Sequence, residues 1–307
     1  MGSVRRIDGD AVSPSEFVQQ LINALSLGSI YALLALGLSM VYGVLGMLNF
    51  AYGELVTIAG YSMLAATYLG APFIVVALVG VLAAGLASVL MELVAFRPLR
   101  NASFVSLLFT SFAVAQLIQG AFRQAVSVRS RGIPVPELFD EALRLGPVRI
   151  SLLSIITAGI GAISLVALTT FMRRSRSGVA MRAASQDFTT ARLSGVRANR
   201  VISLAFLISG ILAGIAGVLW IVRTTSVNPT TGFVPVIQAF IASVIGGLGN
   251  LRGAVIGGFF LGTLEVFLQA LLPGSLLPYA QAAALLIVVA ILYVRPQGLF
   301  GQRAEAI

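Results

Sequence analysis

Several runs of 18 or more residues carry no charged side chain, among them 17–42, 104–122, 150–172, 201–222 and 277–294. A helix needs about 20 largely apolar residues to cross roughly 30 Å of hydrocarbon. Closed β-barrels are the other spanning solution, and they show short strands of alternating polarity. Here the runs are continuous and rich in Leu, Ala, Ile, Val and Gly. The expected fold is therefore an all-α polytopic membrane protein. Composition agrees, because 58% of the residues are hydrophobic and 10% are charged, where soluble chains carry about 25%.

Residue types that are missing exclude chemistry. The chain has no Cys and no His, which removes disulfides, thiol catalysis, zinc centres of the usual ligand type and His proton relays. All 20 basic residues are Arg, so the Lys that a P-loop sets on the β/γ-phosphates is missing and ATP is not bound by that route. No cofactor is expected. A net charge of +9 would suggest nucleic acid in a soluble protein. In a membrane protein it reads as Arg retained in cytoplasmic loops, next to membrane lipid and with no nucleic-acid partner.

Along the chain, Ser13-Pro14-Ser15 reads as a helix start and a first span as residues 17–42. It is too long for a signal-peptide core and is kept as a mature span. The pattern breaks over 43–49, and further spans follow at 50–68, 72–96, 104–122, 150–172 and 201–222. A short apolar stretch at 233–245 precedes a Gly-rich break at 246–253, a span to about 272 and a last one at 277–294. This makes a single transmembrane domain over 1–307, a bundle of about eight to nine transmembrane helices with discontinuous segments near 43–53 and 246–253. Residues 123–148 form a polar connection containing Pro134, Pro136 and Pro147.

Orientation follows from the Arg bias. Loops at 97–103 and 173–200 and the tail after 295 are expected in the cytoplasm, and 123–148 outside it. Counting 233–245 as a crossing places the amino terminus outside if 17–42 and 50–68 both cross fully. If either is re-entrant, the amino terminus lies inside.

Segment 173–200 holds Arg173, Arg174, Arg176, Arg182, Arg192, Arg197 and Arg200 against one acid, Asp187. Residues 178–184 are good helix formers, Ser185, Gln186 and Asp187 offer N-caps, and Gly195 suits the end of a second short helix. Val179, Met181, Phe188 and Leu193 interleave with the arginines. That amphipathic pattern fits either a surface pushed by a cytosolic motor or a basic helix lying on anionic lipid. The two interruptions each carry an Asn beside a helix start, Asn49 and Asn250. Interrupted segments in corresponding halves point to a substrate path, while glycines there also permit tight turns and crossings. Three acids fall in or near spans. Glu54 follows Asn49 and Tyr52 at a helix N-terminus, Glu92 lies a turn from Arg97 and Arg100, and Glu265 is near a span's middle. The candidate path residues are thus Asn49, Tyr52, Gly53, Glu54, Gly249, Asn250 and Glu265. Small-xxx-small pairs at 210/214, 253/257 and 258/262 encode close helix packing.

Residues 48–55 (LNFAYGEL), 97–100 (RPLR), 182–187 (RAASQD) with Ala191 and Gly195, 246–250 (GGLGN) with Gly253, and 295–301 (RPQGLFG) resemble permease subunits of bacterial branched-chain amino-acid ABC importers, of the LivH type. The likeness covers nearly the whole chain and keeps the motif order. It implies a pore-forming subunit of the bacterial inner membrane for branched-chain or other hydrophobic amino acids. That subunit pairs as a heterodimer with a second homologous permease, sits on two cytosolic ATPase subunits and receives cargo from a periplasmic amino-acid-binding protein. It also implies that Gly178, Met181, Arg182, Ala183, Ser185, Gln186, Asp187, Ala191, Leu193 and Gly195 belong to the loop that docks into the ATPase. Sister permeases move sugars, urea or amides. A secondary transporter or channel would need an ion site, against which the sparse, unpaired acids argue. An intramembrane enzyme would be left with Ser or Asp chemistry in no recognisable arrangement.

Overall fold

The computed structural model describes residues 14–100, 102–139, 141–145, 148–186, 188–295 and 298–300. The polar segment 1–13, Asp140, Pro147, Asp187, Pro296 and Gln297 lie outside the described residues, as does the chain after 300. Eleven α-helices follow in order among the described residues: α1 (Pro14–Leu45), α2 (Tyr52–Tyr68), α3 (Phe73–Met91), α4 (Phe104–Ala125), α5 (Leu152–Arg174), α6 (Arg176–Gln186), α7 (Phe188–Leu193), α8 (Ala198–Thr224), α9 (Phe233–Gly246), α10 (Leu251–Leu271) and α11 (Ala280–Val294). Seven are long and apolar enough to cross a membrane. α2, with 17 residues, and α9, with 14, are shorter.

One helix organises the rest. The apolar window of α1 is 94% buried, against 28% for α3, 22% each for α4 and α5, and 17% for α11. A helix apolar on all sides needs protein all around it, whereas a lipid-facing helix leaves its apolar face outward. α1 is therefore the central post, packed by α10, α8, α9 and α5. The α1–α10 contact is antiparallel and depends on small residues. Gly258 lies on Ala32 and Gly262 on Gly28, where a Cβ on Gly262 would come 2.5 Å from the Gly28 Cα. The α3–α8 contact repeats the device, with Gly214 against Val81 and Gly210 against Ser88 and Gly85. All three small-xxx-small pairs read from the sequence lie at such close approaches.

The chain enters this bundle twice through short helices. α1 ends at Leu45, Gly46 turns with φ +66°, and α2 begins at Tyr52. The Tyr52 hydroxyl donates to the Ser209 carbonyl at 3.4 Å, and the Ser209 hydroxyl donates to the Gly37 carbonyl at 2.8 Å. The first turn of α2 is thus level with Gly37, eight residues before the end of α1, or about 12 Å at 1.5 Å per residue. The chain leaving α8 likewise returns inward before α9 starts at Phe233.

At the end of α8 away from α6, β1 (Arg131–Gly132) pairs antiparallel with β4 (Ser226–Val227), matching Arg131 to Val227. Separately, β2 (Ala142–Leu145) pairs antiparallel with β3 (Val148–Ser151), Leu143 opposite Ile150. The connection at 123–148 thus carries strands too short for sequence periodicity to mark.

Candidate functional site

Two regions concentrate the candidate residues: the α6–α7 elbow and the place where α2 and α9 begin.

α6 is tied into the bundle by one face. Ser175 caps it, accepting from the Gly178 N–H at 2.9 Å, which meets one of the free donors of the first turn. Gly178 lies so close to the last turn of α5 that a Cβ would come 2.6 Å from the Met172 Cα. Met181 and Ala184 are 1% and 4% exposed, so positions 178, 181 and 184 form the inward stripe expected at helical spacing. Arg182, Ala183, Ser185 and Gln186 point outward, with the Ser185 hydroxyl donating to the Arg182 carbonyl at 2.8 Å. In α7, Ala191 is 6% exposed and Leu193 is 85% exposed. Gly195 closes α7 with φ +86°, and the Val196 N–H donates to the Ala191 carbonyl at 3.1 Å. That bond and the left-handed glycine make a Schellman ending. Of the ten candidates here, Gly178, Met181 and Ala191 anchor, six are outward, and Asp187 lies outside the described residues. The arginine-rich elbow thus presents an exposed Leu193 and a half-exposed Val179.

In the interior, Asn49, Tyr52, Gly53 and Glu54 come together at the start of α2. Gly53 touches the first turn of α9, where a Cβ on it would lie 2.5 Å from the Gly232 carbonyl and 2.8 Å from Val236. A Cβ on Gly232 would overlap the Gly53 carbonyl, and the Gly232 N–H donates to the Thr57 hydroxyl at 3.0 Å. The first turns of two short helices, α2 and α9, therefore meet inside the bundle. Glu54, 2% exposed, accepts from the Gln119 side chain of α4 at 2.7 Å, and Gln119 accepts from Arg123 at 3.4 Å. Asn49 donates weakly to the Met91 sulfur at 3.9 Å, while its Oδ1 and the Gln238 Oε1 of α9 are buried without a hydrogen-bond partner. Such groups are costly in an apolar interior. Asn49 borders a crevice, with Leu38, Phe50, Val236 and Phe240, that is too narrow for water.

The other path candidates lie elsewhere. Asn250 caps α10, its Oδ1 accepting from the Arg252 and Gly253 N–H groups at 3.1 Å each, and its amide donates to the Phe300 carbonyl at 3.0 Å. Gly249 turns with φ +79° beside Tyr42 and Gly43 at the end of α1, and Ser185 of α6 reaches the same spot. Glu265 accepts from the Tyr31 hydroxyl at 2.7 Å on the α1–α10 seam. The seven residues therefore occupy three places in the fold.

Glu92 proves to be the buried hub of an ion network that reaches the surface through Arg97. It is 0% exposed and pairs with Arg97 at 3.2 Å and with Arg100. The Ser203 hydroxyl donates to it at 2.9 Å, and Arg100 donates to the Asn199 side chain at 2.5 Å. The network closes a single π turn, Glu92–Phe96, at the end of α3, a local irregularity frequent at functional sites. It fastens that turn to the first two turns of α8, which follow directly on α7. Sequence spacing marks the Glu92–Arg97 pair, but Ser203 and Asn199 lie about a hundred residues away. Gln119 and Gln238 could have been found as amides inside apolar spans.

Comparison with known proteins gives one family. Residues 20–294 match the family described as branched-chain amino acid transport system / permease component. The chain is 34% identical over 299 residues to the high-affinity branched-chain amino acid transport system permease protein BraD of Pseudomonas aeruginosa, covering 93% of this chain and 96% of that one. It is 34% identical over 300 residues to the corresponding permease LivH of Escherichia coli K12, with the same coverage. The xylose transport system permease XylH of Escherichia coli K12 is 29% identical over 141 residues, 44% of this chain and 30% of that one.

Proposed function

This chain belongs to the branched-chain amino acid transport permease family, and from that premise we propose that it forms half of a translocation pathway importing branched-chain or other hydrophobic amino acids. Energy comes from ATP hydrolysed on two cytosolic subunits. A periplasmic amino-acid-binding protein delivers cargo, and a second, homologous permease completes the pathway. The chain sits in the bacterial inner membrane as one domain, with 173–200 and the carboxyl terminus in the cytoplasm and 123–148 outside. α1 starts at the end of the bundle opposite α6, so the same orientation sets its first residues outside.

The observation that carries this reading is the two-sided elbow α6–α7. Its inner face is locked to the spanning helices by Gly178, Met181 and Ala191. Its outer face offers Arg182, Ala183, Ser185, Gln186, Leu193 and Gly195 to a partner. A short stiff element held in this way passes a push at its surface to α5 and α8 as rigid-body motion. Asp187, within the same loop, belongs to the docking set. The pathway is lined at the α2–α9 meeting point by Asn49, Tyr52, Gly53 and Glu54. Gly249 and Asn250 lie next to the elbow, where motion of α6 is felt first, and Glu265 holds the outer part of α1 to α10.

The amino-acid cargo is supported by the identity to BraD and LivH along nearly the full chain, set against the partial match to XylH. Co-purification of the associated chains and ATP-driven uptake of leucine, isoleucine and valine by the reconstituted assembly test the proposal. Uptake by the lone chain under an ion gradient, without ATP, would overturn it.

A further inference from the structure

Between α6 and the start of α8 lies a groove of about 220 Å³. Arg176, Arg197 and Arg200 line it, all three exposed and none in an ion pair among the described residues. Among the described residues, no acid lines it. Its wall changes character along α8. Arg197 and Arg200 stand at the mouth, with Val196 beside them, and Val201 and Leu204 continue the same helical face inward. Beyond them α8 carries no charge until Arg223.

A small free anion needs only the arginines. A groove that is cationic at its mouth and becomes apolar one turn along a spanning helix matches a molecule with an anionic head and a hydrocarbon tail. We propose that this groove binds an anionic phospholipid, its phosphodiester held by Arg176, Arg197 and Arg200 and an acyl chain laid along Val201 and Leu204. Guanidinium forks suit phosphate oxygens geometrically. Basic pockets between helices at the membrane boundary are the setting in which such headgroups are held. The bound lipid bridges α6 to α8 and so stiffens the elbow against the bundle. This inference does not depend on the importer reading, since anionic headgroups line the boundary whatever the cargo.

The test uses the purified full chain, stripped of lipid in a neutral detergent, with phosphatidylglycerol, phosphatidylcholine and inorganic phosphate as separate probes. The wild-type chain should retain phosphatidylglycerol in preference to phosphatidylcholine. Arg197→Gln/Arg200→Gln should bind it about tenfold more weakly or worse, and Arg197→Lys/Arg200→Lys should recover most of the binding. Arg173→Gln/Arg174→Gln removes the same charge outside the groove and should leave binding unchanged. An equal loss in that control would mean diffuse charge attraction and would overturn the site. Displacement of the lipid by millimolar phosphate would make it a small-anion site. Loss of the lipid on assembly with the ATPase subunits would assign the groove to a protein partner. Either result also overturns the proposal.

Discussion

Gly53 and Gly232 let two helix N-termini meet because neither has a side chain to keep them apart. A branched side chain at either position must push the helices away from each other, a distortion of about 1–3 kcal/mol for overpacked sites. Gly53→Val should therefore abolish uptake and lower the melting temperature of the purified chain. Gly120→Val, at a glycine with open space around it, should leave packing intact. Equal behaviour of the two variants would remove the meeting point from the account. Glu92 allows a second residue-scale test. Removing its charge by Glu92→Ala leaves Arg97 and Arg100 without their carboxylate, a loss of about 3 kcal/mol, the low end for a buried pair because Arg97 is 40% exposed. Ser203→Ala keeps the ion pairs and loosens only the tie to α8. If the network transmits motion, Ser203→Ala should keep stability near wild type while raising the ATP consumed per molecule imported. An unchanged ratio would make the network purely structural. At this scale the sequence was legible where partners are close in the chain, as in Glu92 with Arg97 or Asn250 with Gly253. Partners joined only by the fold, such as Glu54 with Gln119 or Tyr31 with Glu265, left no local trace.

Among the elements, the short helices were the most readable. The break over 43–49 marks where α1 gives way to α2, and the short apolar stretch at 233–245 matches the 14-residue α9. Good helix formers over 178–184 and Gly195 gave the elbow nearly its observed bounds. Residue type alone does not single out Ser175 as the cap of α6, because Ser177 and Ser185 nearby offer the same hydroxyl oxygen. The β2–β3 hairpin was missed because four-residue strands carry too few alternations to set a period. The Asn250 cap supports a prediction at this scale. Asn250→Ala should cost about 1 kcal/mol, seen as a lower melting temperature, and its loss also frees the Phe300 carbonyl. The outer face of the elbow supports another. Leu193→Glu should leave the purified chain folded, since Leu193 touches solvent, yet reduce uptake by the assembled transporter at least about tenfold, the effect of losing an apolar contact in an interface core. Normal uptake by that variant would remove Leu193 from the docking surface.

For the whole molecule, composition and charge-free runs gave a helical membrane bundle but not its plan. The run over 17–42 looks like the one over 150–172 in hydrophobicity, yet α1 is enclosed and α5 faces outward. What separates them is the set of small residues that α1 meets on α10, Gly258 and Gly262, more than two hundred residues away. The plan that results is a rigid post encircled by lipid-facing helices, with two short helices meeting inside and one elbow outside. On the proposed reading such a body moves cargo only when a partner pushes the elbow, so the isolated chain should show neither ATP hydrolysis nor vectorial uptake. Because the chain has no cysteine, Leu193→Cys places a single thiol on the elbow's outer face. That thiol should resist a membrane-impermeant maleimide in intact cells, react with it in inverted vesicles, and cross-link to an ATPase subunit in the assembled transporter. Labelling from outside intact cells, or cross-linking to the external binding protein, would contradict the account.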